Sequence, residues 1–193
     1  FAEQAFRGVL EKTPDAAGLR GLVSSLVGKQ GNPGQAAAEL VPLLDNPASD
    51  TLALRMIAGG LEMQANRPEQ ALVHFKKVLA KRPDDRRVLA SLTDAWRQLD
   101  ARDDARATLE AALATTPASH DLWLARLMVE SQGDSHTQAV VERWLVAMPE
   151  HIPALEARMS LFAAQGDNLA AESLAHRIVK LEPGRSSAEM LLV

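Results

Sequence analysis

The sequence predicts an all-α fold, built as a row of antiparallel helix hairpins. Three observations predict it. Six prolines, Pro14, Pro47, Pro83, Pro117, Pro149 and Pro183, recur at gaps of 33, 36, 34, 32 and 34 residues. A second series of helix breakers runs between them: Gly31-Asn32, Asn66-Arg67, Asp100-Ala101, Gly133-Asp134 and Gly166-Asp167, at gaps of 35, 34, 33 and 33. Two interleaved markers with one period signify a repeat array. The composition agrees. Of 193 residues 47% are hydrophobic but only 4% aromatic, with no tyrosine. Ala and Leu, which favour helix, dominate, whereas strands draw on β-branched and aromatic residues.

The elements follow in order. Residues 1–14 read as the second helix of a truncated repeat, with Ala2, Phe6 and Val9 on one face. Five hairpins follow, at 15–47, 49–83, 84–117, 118–149 and 151–183, and residues 184–193 begin a further repeat. Gly and Asn at the inner turns tolerate the left-handed conformation that ends a helix. Asp167, after Gly166, can cap the next helix, and each marker proline keeps the residue before it out of helix. Counting back from a proline, a small residue stands twelve before it and apolar ones eight and five before: Ala71, Phe75 and Val78; Ala105, Leu109 and Ala112; Ala171, Ala175 and Ile178. That spacing is one face of a helix.

Some segments depart from the pattern. The repeat ending at Pro47 is one residue short, so Ala36 and Leu40 align only after a slip. The repeat ending at Pro149 is two short, and a shifted register is expected around Ala139, Val140 and Trp144. Arg55, Glu62, Arg126 and Arg158 stand where small or apolar residues are expected, which predicts irregular stacking there. Neither end of the chain is polar, although solenoids need polar caps. A fragment of a longer array is therefore expected; the other possibility is an end that packs on a second copy.

Several function classes are disfavoured. A formal charge of -4 argues against a general nucleic-acid binder, which carries a basic surplus. The absence of cysteine removes disulfides and thiolate metal sites. No stretch approaches the ~18 apolar residues of a membrane span. The five histidines, His74, His120, His136, His151 and His176, show no i, i+4 ligand pair and read as solvated surface residues, so no metal is expected. Gly28-Lys29-Gln30 lacks the upstream glycine and the following Ser or Thr of a phosphate loop, and no Gly-x-Ser-x-Gly elbow occurs. Asp84-Asp85 and Asp103-Asp104 read as helix starts, where carboxylates favour the positive end of the dipole. No convergent catalytic set emerges, so neither an enzyme nor a cofactor is expected.

Leu52 to Pro83, with Gly59, Asn66, Ala71, Phe75 and Pro83 in place, resembles a tetratricopeptide repeat. Gln132-Gly133-Asp134 and Gln165-Gly166-Asp167 resemble that family's inter-helix turn, and Trp96 and Phe162 stand where it places an aromatic late in the first helix. The resemblance runs over essentially the whole chain. It implies a right-handed superhelical solenoid, whose first helices line a concave groove that binds an extended peptide or a partner helix. Transferred to this chain, the groove positions are Ser25, Lys29, Met56, Met63, Arg87, Asp94, Arg97, Trp123, Leu127, Glu130, Glu156 and Ser160. The family's clamp for a peptide's terminal carboxylate would fall on Gly21, Ser25, Ala53, Ile57, Ala90 and Ser91, which cannot form it.

One charge feature stands apart. Between Lys76 and Arg106 lie nine basic and six acidic residues. This is either a turn laced with ion pairs or a landing patch for an acidic partner or acidic polysaccharide. The resemblance thus implies a non-catalytic protein-interaction scaffold. Two alternatives stay open: a periplasmic arm of bacterial exopolysaccharide secretion or envelope assembly, and a self-association module. The repeats look bacterial, and the periplasm is favoured over the cytoplasm as the compartment.

Overall fold

The computed structural model describes residues 32–45, 50–130 and 135–190, together with Gly21. All regular structure among them is helical: α1 (Pro33–Leu44), α2 (Leu52–Gln64), α3 (Pro68–Leu79), α4 (Arg86–Leu99), α5 (Arg102–Thr115), α6 (His120–Val129), α7 (Ser135–Ala147), α8 (Ile152–Ala164), α9 (Asn168–Leu181) and the single turn α10 (Ser186–Glu189). The chain forms two compact units, residues 1–108 and 109–193, with α5 crossing the boundary. The expected half-repeat at 1–14 and the terminal Leu191–Val193 lie outside the described residues.

Local chemistry sets the helix ends. Side chains accept from free amides of the first turn at Asn32 (Gly34 N, 3.0 Å), Thr51 (Leu54 N, 3.2 Å), Asp85 (Arg87 N, 3.0 Å), Ser119 (Leu122 N, 3.3 Å) and Asp167 (Ala170 N, 3.1 Å). Each such cap contributes about 1 kcal/mol. Asn66 (φ 57°), Asp100 (φ 49°) and Gly166 (φ 78°) take the left-handed conformation that turns the chain between paired helices. Gly133-Asp134 lies outside the described residues.

In the first unit α2 packs on α1 and α3, and α3 on α4. Ala36, Ala37, Leu40 and Leu44 of α1 meet Leu54, Ala58 and Leu61 of α2 in one buried cluster, so the slipped alignment of Ala36 and Leu40 is the one that packs. On α3, Ala71, Phe75 and Val78 are almost wholly buried. Gly59 lets α2 approach α3: a Cβ there would stand 2.4 Å from Phe75 Cε1. In the second unit α7 packs on α6 and α8, and α9 on α8 and α10. Leu155 and Met159 close on Ala171, Ala175, Ile178 and Ala188.

The shifted register expected in α7 does not occur. Thr137, Val141 and Trp144, the residues twelve, eight and five before Pro149, are the buried ones, with Val140 beside them, and Ala139 is exposed. The shortening falls instead on α6, which has 10 residues where α2, α4 and α8 have 13, 14 and 13.

The off-pattern charges find partners. Buried Arg55 reaches Asp50 at 2.5 Å. Arg67 Nε lies 2.9 Å from the buried Glu62 Oε2 without the alignment of a hydrogen bond. Arg126 pairs with Glu110 at 3.1 Å and with buried Glu130. Arg158 pairs with Glu142 at 3.0 Å and lies 4.4 Å above the Phe162 ring. Charges at core positions survive burial only when paired in this way.

Candidate functional site

The first helices of successive hairpins, α2 and α4, stand in the same unit and touch. Together with the end of α3 and the turn after it they enclose a cleft of about 370 Å³, lined by Leu52, Ala53, Met56, Ile57, Val78, Arg82, Asp85 and Arg87. Its apolar wall comes from α2. Leu52, Met56 and Ile57 are half-buried there because their other faces pack inward, and Val78 closes the floor. Its polar rim has a different origin. Asp85 caps α4 through the amide of Arg87, which fixes the start of that helix at the cleft mouth. Arg82 and Arg87 are both exposed, and neither guanidinium bonds to another described residue.

Four of the nine cations between Lys76 and Arg106 are held by nearby carboxylates. Lys76 meets Asp104 at 2.5 Å, Arg97 meets Asp94 at 2.7 Å, Arg102 meets Asp100 at 3.4 Å and Arg106 meets Asp103 at 3.1 Å. Trp96 Nε1 also donates to Asp104, at 2.8 Å. Burial acts to raise the Asp104 carboxyl, but the hydrogen bonds from Lys76 and Trp96 outweigh it and hold the group below its ordinary value. The ion-pair reading therefore describes part of the stretch. Its C-terminal half is a lattice of ion pairs. Lys77, Lys81, Arg82 and Arg87 have no ion-pair partner among the described residues, and Arg82 and Arg87 line the cleft.

Of the residues expected on a groove wall, Met56 and Arg87 share this cleft. Met63 lies half-buried near the other end of α2. Asp94 and Arg97 are exposed on α4 but neutralise each other. Leu127 is half-buried, whereas Trp123 and Glu130 are interior, only 3% and 8% exposed. Trp123 stacks on Trp144 with ring centroids 6.5 Å apart, donates from Nε1 to the Pro117 carbonyl at 2.8 Å, and carries the Arg143 guanidinium above its ring. Lys29 and Ser25 lie outside the described residues. Glu156 is held by both nitrogens of the Arg185 fork, at 2.8 and 2.9 Å, and by Ser187. Ser160 turns its hydroxyl back to the Glu156 carbonyl at 2.9 Å.

Reading by position missed two features. Ile57 and Arg82 line the cleft; both were visible, one among the clamp positions and one in the basic stretch, but only packing joins them. The histidines are the second. His120 Nδ1 lies 2.9 Å from His151 Nε2, and both rings pack on buried Trp144, so these two are not solvated surface residues. His74, 8% exposed, is interior as well. The repeat period itself brings His120 and His151 together, since each starts the first helix of its hairpin.

Comparison with known proteins gives a family match over part of the chain, and a fold. Residues 62–129 match the family described as tetratricopeptide repeat. No curated protein sequence matches the chain. Among solved structures, YrrB, described as a TPR protein with an unusual peptide-binding site, is 16% identical, covers 98% of each chain and has a TM-score of 0.51. MamA is 17% identical over 83% of this chain and 94% of its own, with a TM-score of 0.52.

Proposed function

From the match of residues 62–129 to the tetratricopeptide-repeat family, we propose that the chain is a non-catalytic scaffold that holds a segment of another protein against its first helices. The fold supports protein binding in general; the face is the specific part of the proposal. The observation that carries it is the α2–α4 cleft, which joins an adaptable apolar wall to unpaired guanidiniums in one place. Methionine adapts to partners of varied shape, and Arg is a frequent anchor of interfaces. Met56, Met63 and Arg87 are the contacts proposed from the groove positions, with Asp94 and Arg97 further along α4. YrrB, which shares the fold, supports the reading through its peptide-binding site.

Photo-crosslinking tests the face. A photoreactive residue is placed at Met56 or Met63 in one set of variants, and at exposed Val73 of α3 as the control. Capture of a partner protein from Met56 and Met63, but not from Val73, is the expected result. Capture from Val73 alone would move binding to the second helices and defeat the proposal.

A further inference from the structure

The cleft between α2 and α4 has a chemistry more specific than a general docking surface. Resting on the scaffold reading, we propose that it takes a partner segment in which an acidic side chain stands next to an apolar one. The carboxylate would be gripped by Arg82 and Arg87, and the apolar side chain seated on Met56, Ile57 and Val78.

Three features of the cleft lead there. First, its charge is uncompensated at the rim. Four cations of the surrounding stretch have a carboxylate within 3.4 Å. Arg82 and Arg87 have none among the described residues, although both line the cleft and both are exposed. Guanidinium presents a planar fork that matches a carboxylate through two parallel hydrogen bonds. Second, the one acid on the rim, Asp85, is committed to the Arg87 amide as the cap of α4. It sets where α4 begins and leaves the Arg87 guanidinium without a partner. Third, the wall opposite the arginines is apolar, and about 370 Å³ holds a small number of side chains rather than a folded surface. An apolar side chain seated on that wall would partly shield the arginines from water, which strengthens a carboxylate bond made beside it.

A side-chain carboxylate suits this site better than a chain terminus. The residues on α2 and α4 where a terminal carboxylate would be clamped are Ala53, Ile57, Ala90 and Ser91; the first three cannot hydrogen-bond through their side chains and only the last offers a hydroxyl. The arginines belong to the turn before α4 and to its first turn.

The test uses labelled synthetic peptides of mixed Leu, Met, Asp and Glu, read by fluorescence anisotropy against the whole chain. Sister peptides replace the acids by Asn and Gln, replace the apolar residues by Ser, or carry an amidated C-terminus. The acidic, apolar peptides are expected to bind, and to weaken about tenfold or more when the acids are neutralised. Affinity should also fall as salt is raised from about 50 to about 500 mM, because exposed charges are screened over this range. Arg82→Glu and Arg87→Glu should each lose binding, and exchange of the peptide acids for Lys should restore it. Both arginines are exposed, so these variants should keep their helical circular dichroism, which is checked alongside.

Equal binding of neutral and acidic peptides overturns the proposal, as does loss of binding on amidation alone. It is also overturned if no acidic, apolar peptide binds, or if both charge reversals bind as the parent does. The scaffold reading fails separately, through the crosslinking pattern. A neutral partner captured at Met56 would leave that reading standing and remove this one.

Discussion

Trp123 shows what a single side chain decides in this fold. Its ring is buried against Trp144, its Nε1 is satisfied by the Pro117 carbonyl, and Arg143 covers its face at 5.5 Å. Truncation to alanine removes the ring from a packed interior, and such losses cost about 3–5 kcal/mol. Trp123→Ala is therefore expected to lower the urea midpoint sharply while the folded fraction binds a partner as the parent does. A variant with unchanged stability and lost binding would contradict the burial. The sequence did not reveal this, for a geometric reason. Groove positions were transferred by counting along helices of standard length, and α6 is short. Each residue turns a helix face by about 100°, so a small offset moves a side chain from wall to core. The exposed apolar residues of α6 are the next ones along, Leu124 and Met128, at 43% and 65%. Arg55, Glu62, Arg126 and Arg158 were legible as exceptions but not as pairs, because their partners Asp50, Arg67, Glu110, Glu130 and Glu142 are chosen by packing.

At the scale of elements, turns were the most legible part. Asn66, Asp100 and Gly166 are both the marked breakers and the left-handed residues, because the backbone requirement at a helix end is local and is written in one residue type. The starts of α6 and α8 carry a longer-range signal: His120 is the first residue of one helix and His151 the cap of the other, and the repeat period makes them neighbours. Their environment carries a pH dependence. Burial, and then the charge of His120 facing it, push the His151 imidazole below its ordinary value. In the other unit, burial and then Arg55 and Lys77 do the same to His74, against Asp50. A histidine with a depressed folded pKa binds fewer protons in the folded chain than in the unfolded one. Its stabilising effect is full above the unfolded value of about 6.5 and is lost as pH falls below it. The urea midpoint is expected to drop between about pH 7.5 and about pH 5.5, a window in which unfolded carboxylates stay mostly ionised. His151→Gln should flatten part of that slope. A midpoint that rises on acidification, or an unchanged slope in the variant, would show that the imidazole is not the responsible group.

Over the whole molecule, contacts run between helices near in sequence: α1 with α2, α2 with α3, α3 with α4, and again from α6 through α10. Stability in such a chain is close to a sum of repeat terms and nearest-neighbour terms, so a local loss fades along the array rather than unfolding everything at once. Gly59→Ala tests this from one end. Its new methyl would stand 2.4 Å from the ring of Phe75, itself 1% exposed, so α2 and α3 must separate or the ring must leave its rotamer. Overpacking of that kind costs about 1–3 kcal/mol. The three tryptophans report on both units, Trp96 in the first and Trp123 and Trp144 in the second. With Trp96 alone, or with Trp123 and Trp144 alone as fluorophores, urea unfolding can be followed separately in each. Gly59→Ala is expected to shift the Trp96 transition clearly and the Trp123/Trp144 transition less. Equal shifts in both would mean that the chain unfolds as one cooperative body, and the nearest-neighbour description would have to give way to a two-state one.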